Sequence, residues 1–416
     1  MRKLHICSLI SSYCLWILAF AISLLLLGAI SRSTQIRFYG RVNEFQVPLK
    51  RIPSRGKGYP PVLAYWICGS NGDSERIMRL LKAIYHPRNQ YLLQLDASSS
   101  EYERENLALS VQSESVFQAF GNVDVVGKSY ALNEIGSSAL AAALHAAALL
   151  LKINADWDWF ITLSAADYPL MTQDDLLHAF TFLPRNLNFI RYDRARWNER
   201  QTVNRIVVDP SLYEQKSTPI MYAVETRETP DAFSVFGGSP WVILTRNFIE
   251  YCVQGWDNFP RKLLMYLSNV VYPLESYFHT VLCNSPEFRN TTVNNDLRYI
   301  VWDSTYEVPQ ILTMSDLDNM LASGAAFARP FQVNDLVLNM IDEHVLSRPP
   351  NGFVSGEWCS SQGKNKSLEN SEVSEQLCQS TWGSVDVVKP GSRGVDLKIL
   401  LSNLAAKERL RTCLCS

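Results

Sequence analysis

The chain has 416 residues, 47% of them hydrophobic, with 39 basic against 41 acidic side chains and a formal net charge of −2. That length is ample for one large α/β domain with attachments, and near-neutrality supplies no basic face, which argues against a nucleic-acid partner. The nine cysteines include no pair with zinc-site spacing and flanking histidines, so disulfides in an oxidising compartment are the better expectation.

In chain order, a tail of residues 1–5 carrying Arg2 and Lys3 precedes a run of about 25 uncharged, mostly apolar residues, Ile6 to Ile30, long enough to cross a bilayer. Its length favours a retained signal-anchor over a cleaved signal peptide. Residues 31–58 are polar and basic without apolar periodicity, as a stem would be. More positive charge follows the span than precedes it, which by itself favours a cytoplasmic bulk. The short tail and two downstream glycosylation sequons, at Asn290 and Asn365, favour a luminal one.

A domain over residues 59–346 begins with a buried strand, Pro60 to Cys68, which turns through Gly69–Asp73 into a helix over Ser74 to Tyr85. A second strand, Tyr91 to Leu95, ends at Asp96, so the opening reads as a βαβ unit. A short strand at Asp124–Val126 and an Ala- and Leu-rich helix, Ser137 to Lys152, follow. The run Trp157–Leu170 (WDWFITLSAADYPL) then places an apolar strand before small residues, Asp167 and a proline. In open α/β sheets ligands bind at that end of a strand. A helix at Asp174–Phe180, a strand at Asn188–Ile190, a turn-rich charged excursion to about 234, a strand at Phe236–Leu244 and a helix at Arg246–Val253 come next. Residues 347–416 are rich in Pro, Gly, Ser, Glu and Lys and read as a partly ordered extension, in which a Cys359–Cys378 bond would close a local loop.

The second informative stretch is Val271–Leu282 (VYPLESYFHTVL), where a Pro-rich turn presents Glu275 just before an amphipathic helix. Taken alone, such a Glu is more often a cap than a catalyst. His279 is one turn on, and a lone histidine on such a helix is more often packed than a ligand. Asp156-Trp157-Asp158 has the Asp-x-Asp form that holds divalent cations in many nucleotide-sugar transferases, but it precedes its strand, whereas a diphosphate metal belongs after it. Both carboxylates are therefore read as structural.

Several of these strings, in this order, resemble glycosyltransferase family 14, which holds protein O-xylosyltransferases, core-2-type β-1,6-N-acetylglucosaminyltransferases and plant arabinogalactan β-glucuronosyltransferases. The resemblance runs from about Pro61 to Leu346, and Gly255–Arg261, Phe288–Asn294 and the late Trp358-Cys359, Trp382-Gly383 and Lys389–Gly391 pattern are similar to the plant subgroup. It implies a GT-A-type α/β fold with a mixed sheet flanked by helices, behind one transmembrane helix and a stem. It implies Glu275 as general base, Asp167 at the sugar or acceptor and Asp96 at the nucleoside. Arg329 of Ala325–Phe331 would bind the diphosphate without an essential metal or cofactor, with Gly238, Ser239 and Trp241 on the acceptor side. Pro330 stands where the family commonly has a lysine. The expected activity is inverting transfer of glucuronic acid from UDP-glucuronate to galactan side chains of arabinogalactan proteins. A type II Golgi membrane protein with a luminal catalytic domain, a UDP-sugar donor and a secreted glycan acceptor follows. The residues by themselves leave xylose or N-acetylglucosamine transfer open, as they do a weakly catalytic glycan-binding scaffold. They fix no oligomeric state.

Overall fold

The computed structural model describes residues 52–154, 156–192, 203–214, 216, 218–255, 257–303, 308–359 and 382–409. Among the described residues no helix is long and apolar enough to cross a membrane. The expected span at 6–30, the Asn365 sequon and Cys378 lie outside them.

A seven-stranded sheet carries the fold, in the order β10-β6-β9-β4-β1-β2-β3. Its strands are β1 (Leu63–Gly69), β2 (Gln90–Leu95), β3 (Val123–Val125), β4 (Trp159–Ser164), β6 (Asn188–Tyr192), β9 (Gly238–Thr245) and β10 (Thr292–Asn294). All run parallel except β9, which is antiparallel to both β4 and β6. The start of β9 therefore meets the ends of β1, β2, β4 and β6 along one edge.

β1 shows why the sheet is central. Leu63, Tyr65 and Ile67 enter one apolar cluster while Ala64 and Trp66 enter the other, the period-2 alternation of a strand buried on both faces. On the second face lies α4 (Ser137–Ile153), whose Leu140, Ala143, Ala147 and Leu150 form a helical stripe. The first face is covered by α1 (Ser74–Ala83) and α5 (Gln173–Thr181). Between them in sequence lie α2 (Glu101–Ser113) and α3 (Ser115–Phe120). A small second sheet joins β5 (Tyr168–Pro169), β11 (Arg298–Tyr299) and β12 (Phe327–Ala328), and an exposed ribbon pairs β7 (Arg205–Val208) with β8 (Met221–Thr226).

Described residues beyond 346 tie this extension to the first core. Phe353, Val354, Trp358, Leu397 and Leu401 belong to the same cluster as β1. The closing helix, Ser392–Arg409, docks on α5 through Leu397 and Leu401, each worth about 1.5–3 kcal/mol on burial. Gly394 permits that approach, since a Cβ there would stand 2.7 Å from the Asp175 Cα. Cys283 and Cys359 each take part in a disulfide, whereas Cys68 and Cys252 are free thiols.

Candidate active site

Strand β4 ends at Ser164, and the chain turns at once, with the Asp167 amide donating to the Ser164 carbonyl at 3.0 Å. The same turn lets Ser164 Oγ donate to Asp167 Oδ2 at 2.9 Å. Asp167 is thereby fixed with its side chain fully buried, and its Oδ1 faces Arg329 Nε at 3.4 Å and Arg298 Nε at 3.6 Å. These three atoms, Asp167 Oδ1, Arg298 Nε and Arg329 Nε, are buried and lack a hydrogen-bond partner of good geometry. Asp167 is shared by two guanidiniums, Asp296 also acts on Arg298, and the Nε donors left unmatched in this poorly solvated place suit an anion.

The two arginines differ in access. Arg298 is buried, donates to the Thr162 carbonyl and lies 5.0 Å from the Trp241 ring centroid. Burial lowers its pKa, opposed by the charges of Asp167 and Asp296. Arg329 retains 15% side-chain exposure and stacks 3.8 Å above the Trp241 ring. Its backbone is held where β12 leaves β5, the Arg329 amide donating to the Tyr299 carbonyl and the Phe331 amide to that of Ala166. Asp167 therefore reaches the solvent side only through Arg329, so its geometry is that of a residue that positions the arginines.

The start of β9 closes this edge. Ser239 Oγ accepts from the Trp241 amide at 3.3 Å, and a Cβ on Gly238 would stand 2.1 Å from the Arg191 carbonyl oxygen, so only glycine fits. Against β9 packs the short 3₁₀ turn Pro273–Glu275, which leads into α8 (Tyr277–Asn284). Tyr272 enters that turn with φ 50°, its amide donating to the Ile135 carbonyl at 2.7 Å. Glu275 is thus delivered, partly exposed, by a turn anchored on β9 and on the loop before α4. His279, one turn further, is buried, and burial lowers its pKa to about 4. It is a neutral imidazole whose Nε2 lies 3.2 Å from the Arg191 carbonyl, a structural donor.

Asp96 lies on the same edge at the end of β2, two strands from β4, or roughly 10 Å at normal strand spacing. It is buried, and its Oδ1 accepts from the Ser98 amide at 3.0 Å. The first loop joins it, because the Asp96 amide donates to the Gly69 carbonyl and Arg76 bridges Asp73 to the Phe331 carbonyl. Cys68 on this floor is no nucleophile: burial, then the Asp167 charge, push its thiol up to about 12.

Asp167, Arg329, Trp241, Gly238, Ser239, Glu275 and Asp96 therefore share one edge. Asp156 and Asp158 do not. Asp158 Oδ2 accepts from the Val62 amide at 2.7 Å and faces Arg185, while Asp156 pairs with Arg55. Both precede the six residues of β4, about 20 Å from its other end. Asn290 is exposed just before β10, at the opposite edge. Among the described residues no His, Cys, Asp and Glu cluster suited to a metal ion is present. Arg298 is the candidate-site residue that sequence reasoning missed. Its signal was faint, an arginine inside the short apolar run Leu297–Val301.

The family described as Core-2/I-Branching enzyme matches residues 63–321. Beta-glucuronosyltransferase GlcAT14A of Arabidopsis thaliana is 44% identical over 358 residues, covering 86% of this chain and 78% of its own. GlcAT14C of the same plant is 48% identical over 294 residues, covering 70% and 76%. Xylosyltransferase 1 of Homo sapiens is more distant, at 34% over 249 residues, 59% of this chain and 24% of that one.

Proposed function

The chain belongs to the Core-2/I-branching family of glycosyltransferases, and from that premise we propose that it transfers glucuronic acid from UDP-glucuronate to galactan side chains of arabinogalactan proteins, with inversion. The arabinogalactan acceptor, the GT-A type of the fold, the Golgi lumen and the single type II anchor are parts of the same proposal. They rest on the sequence of the catalytic region, the apolar run at residues 6–30 and the exposed Asn290 sequon.

The observation that carries the chemistry is the arginine pair on Asp167, at the edge to which β9 also brings Glu275. In the reaction an acceptor hydroxyl oxygen attacks the anomeric carbon as the bond to the UDP oxygen breaks on the opposite face. Glu275 takes the hydroxyl proton, and the charge that grows on the departing diphosphate meets Arg329, backed by Arg298. Most of the acceleration comes from orienting two sugars and from donors fixed before the reaction starts. Asp167 keeps both guanidiniums in place, so little reorganisation accompanies the charge transfer. With the leaving group met by arginines, no metal is required by this reading. The donor's nucleoside is assigned to the Asp96 end of the edge, and Gly238, Ser239 and Trp241 to the acceptor side.

A transfer assay on purified protein with UDP-glucuronate, UDP-xylose and UDP-N-acetylglucosamine, run with and without EDTA on a β-galactan acceptor, tests this reading. Preferential glucuronate transfer that survives EDTA is expected. Preference for another donor would overturn the substrate assignment, and activity restored only by Mn²⁺ would overturn the metal-free mechanism.

A further inference from the structure

The described cations at the ends of β1 and β4 and the start of β9 are mostly engaged. Arg298 and Arg329 are held on Asp167, and Arg76 on Asp73 and the Phe331 carbonyl. Arg191, near the end of β6, is different. Its guanidinium is exposed and makes no hydrogen bond or ion pair with the described residues.

Its backbone, in contrast, is fixed on several sides. Pairing of β6 with β9 runs through Ile190 and Val242, then slips so that Tyr192 meets Gly238. Ser239, Pro240 and Trp241 thus bulge opposite Arg191, a device that re-aims side chains beside active sites. The Arg191 carbonyl lies against Gly238 and accepts from His279 Nε2, and the next amide, of Tyr192, donates to Asn294 Oδ1 at 2.8 Å. His279 follows Glu275 closely, across the junction of the 3₁₀ turn with α8. Trp241, on the bulge, carries Arg329 on its ring. The sugar being transferred must lie between the diphosphate at Arg329 and the base at Glu275. Arg191 emerges from the strand end that borders both.

We propose that Arg191 is the specificity-determining residue that reads the carboxylate of the donor's uronic acid, an inference that rests on the glucuronosyl-transfer reading above. A guanidinium grips a carboxylate through two parallel N–H donors, a grip unavailable to a neutral hydroxymethyl group. A rigid backbone suits that task, because the pinned carbonyl sets the starting point and, among the described residues, the guanidinium meets no competing carboxylate. UDP itself, without the sugar, makes no demand on this residue.

The test compares wild type with Arg191→Gln and Arg191→Lys on UDP-glucuronate and UDP-glucose, which differ only in that carboxylate. UDP binding and melting temperature are measured beside kcat/KM, and binding of UDP-glucuronate relative to UDP gives the same comparison without turnover. Arg191→Gln should lower kcat/KM for UDP-glucuronate at least about tenfold, the worth of a lost hydrogen bond to a charged group. UDP affinity, UDP-glucose transfer and melting temperature should hold, and Arg191→Lys should recover part of the loss. An unchanged glucuronate-to-glucose ratio in Arg191→Gln would overturn the inference, as would an equal fall in UDP affinity. A wild type without preference for UDP-glucuronate over UDP-glucose would instead overturn the parent reading, before any variant is made.

Discussion

Two buried carboxylates in this protein each sit between two arginines, and they are finished differently. Asp342, in α10 (Leu336–His344), accepts from Arg348 Nε at 2.7 Å, from Arg79 at 2.7 Å and from the Tyr168 hydroxyl at 2.6 Å. Arg348 also donates to the Gly352 carbonyl, and Arg79 to Asn339. Asp167, one residue before Tyr168, faces its arginines at 3.4 and 3.6 Å and leaves three buried polar atoms without good partners. A satisfied cluster holds a fold together, whereas one with buried donors left unmatched is prepared for something else. The difference separates the two roles more sharply than burial or residue type does.

That contrast can be broken by mutation. Arg348→Ala removes two hydrogen bonds from the buried Asp342 and should cost about 3–5 kcal/mol of stability, as breaking a buried pair does. Urea unfolding would read the loss, while activity per folded molecule should be preserved. If Arg348→Ala left stability intact and abolished UDP binding, the two clusters would have to exchange roles.

Glu275→Gln probes the other side of the comparison. It keeps volume and much of the hydrogen bonding but cannot accept the acceptor's proton, so turnover should fall by about 100-fold or more with stability and UDP binding retained. Near-normal transfer by the folded variant would remove Glu275 from the role of base.

The pH dependence of stability sharpens the contrast more gently. Burial alone would raise the pKa of Asp342, but the hydrogen bonds from Arg348 and Tyr168, with the arginine charges, outweigh it and leave the value lowered. A carboxyl depressed in the folded state contributes stability above its unfolded pKa, near 4, and loses it as pH falls through the folded value. Asp342→Asn should therefore flatten the acid limb of the unfolding curve between about pH 4 and that lower value. An acid limb of unchanged steepness in the variant would mean that other carboxylates govern it.

The parts legible in the sequence were those with strong local patterns. Apolar β1 and β4 bounded by small residues, the Ala-rich α4 and the Pro-Leu-Glu turn all fold as their residues dictate. The family resemblance, in turn, gave Glu275 and Arg329 their expected roles. Less was legible where long-range contacts decide. α2 is mostly polar and buries only Leu107 and Val111, and the closing helix has apolar residues on several sides, burying Leu397 and Leu401 while Val395 and Ile399 stay exposed. The ribbon β7–β8 lay inside a stretch read only as turn-rich. Arg298 was the instructive omission: arginines are rarely buried unless paired, and its partner, Asp167, lies far off in sequence. Trp241 was expected on the acceptor side, but its support of Arg329 depends on a strand pairing that no local pattern reveals. Residues past 346 read as an extension tied down at points, but their polar surroundings hid that Phe353, Trp358, Leu397 and Leu401 would be the ones to enter the main core.

The central claim is that the incompletely satisfied cluster holds the donor's diphosphate, and calorimetric titration of UDP into wild type, Arg329→Ala and Arg348→Ala tests it most directly. Arg329→Ala should weaken UDP by about 1.5–3 kcal/mol, roughly a 10- to 150-fold rise in Kd, with folded Arg348→Ala binding as wild type does. Equal UDP affinity in wild type and Arg329→Ala would contradict it.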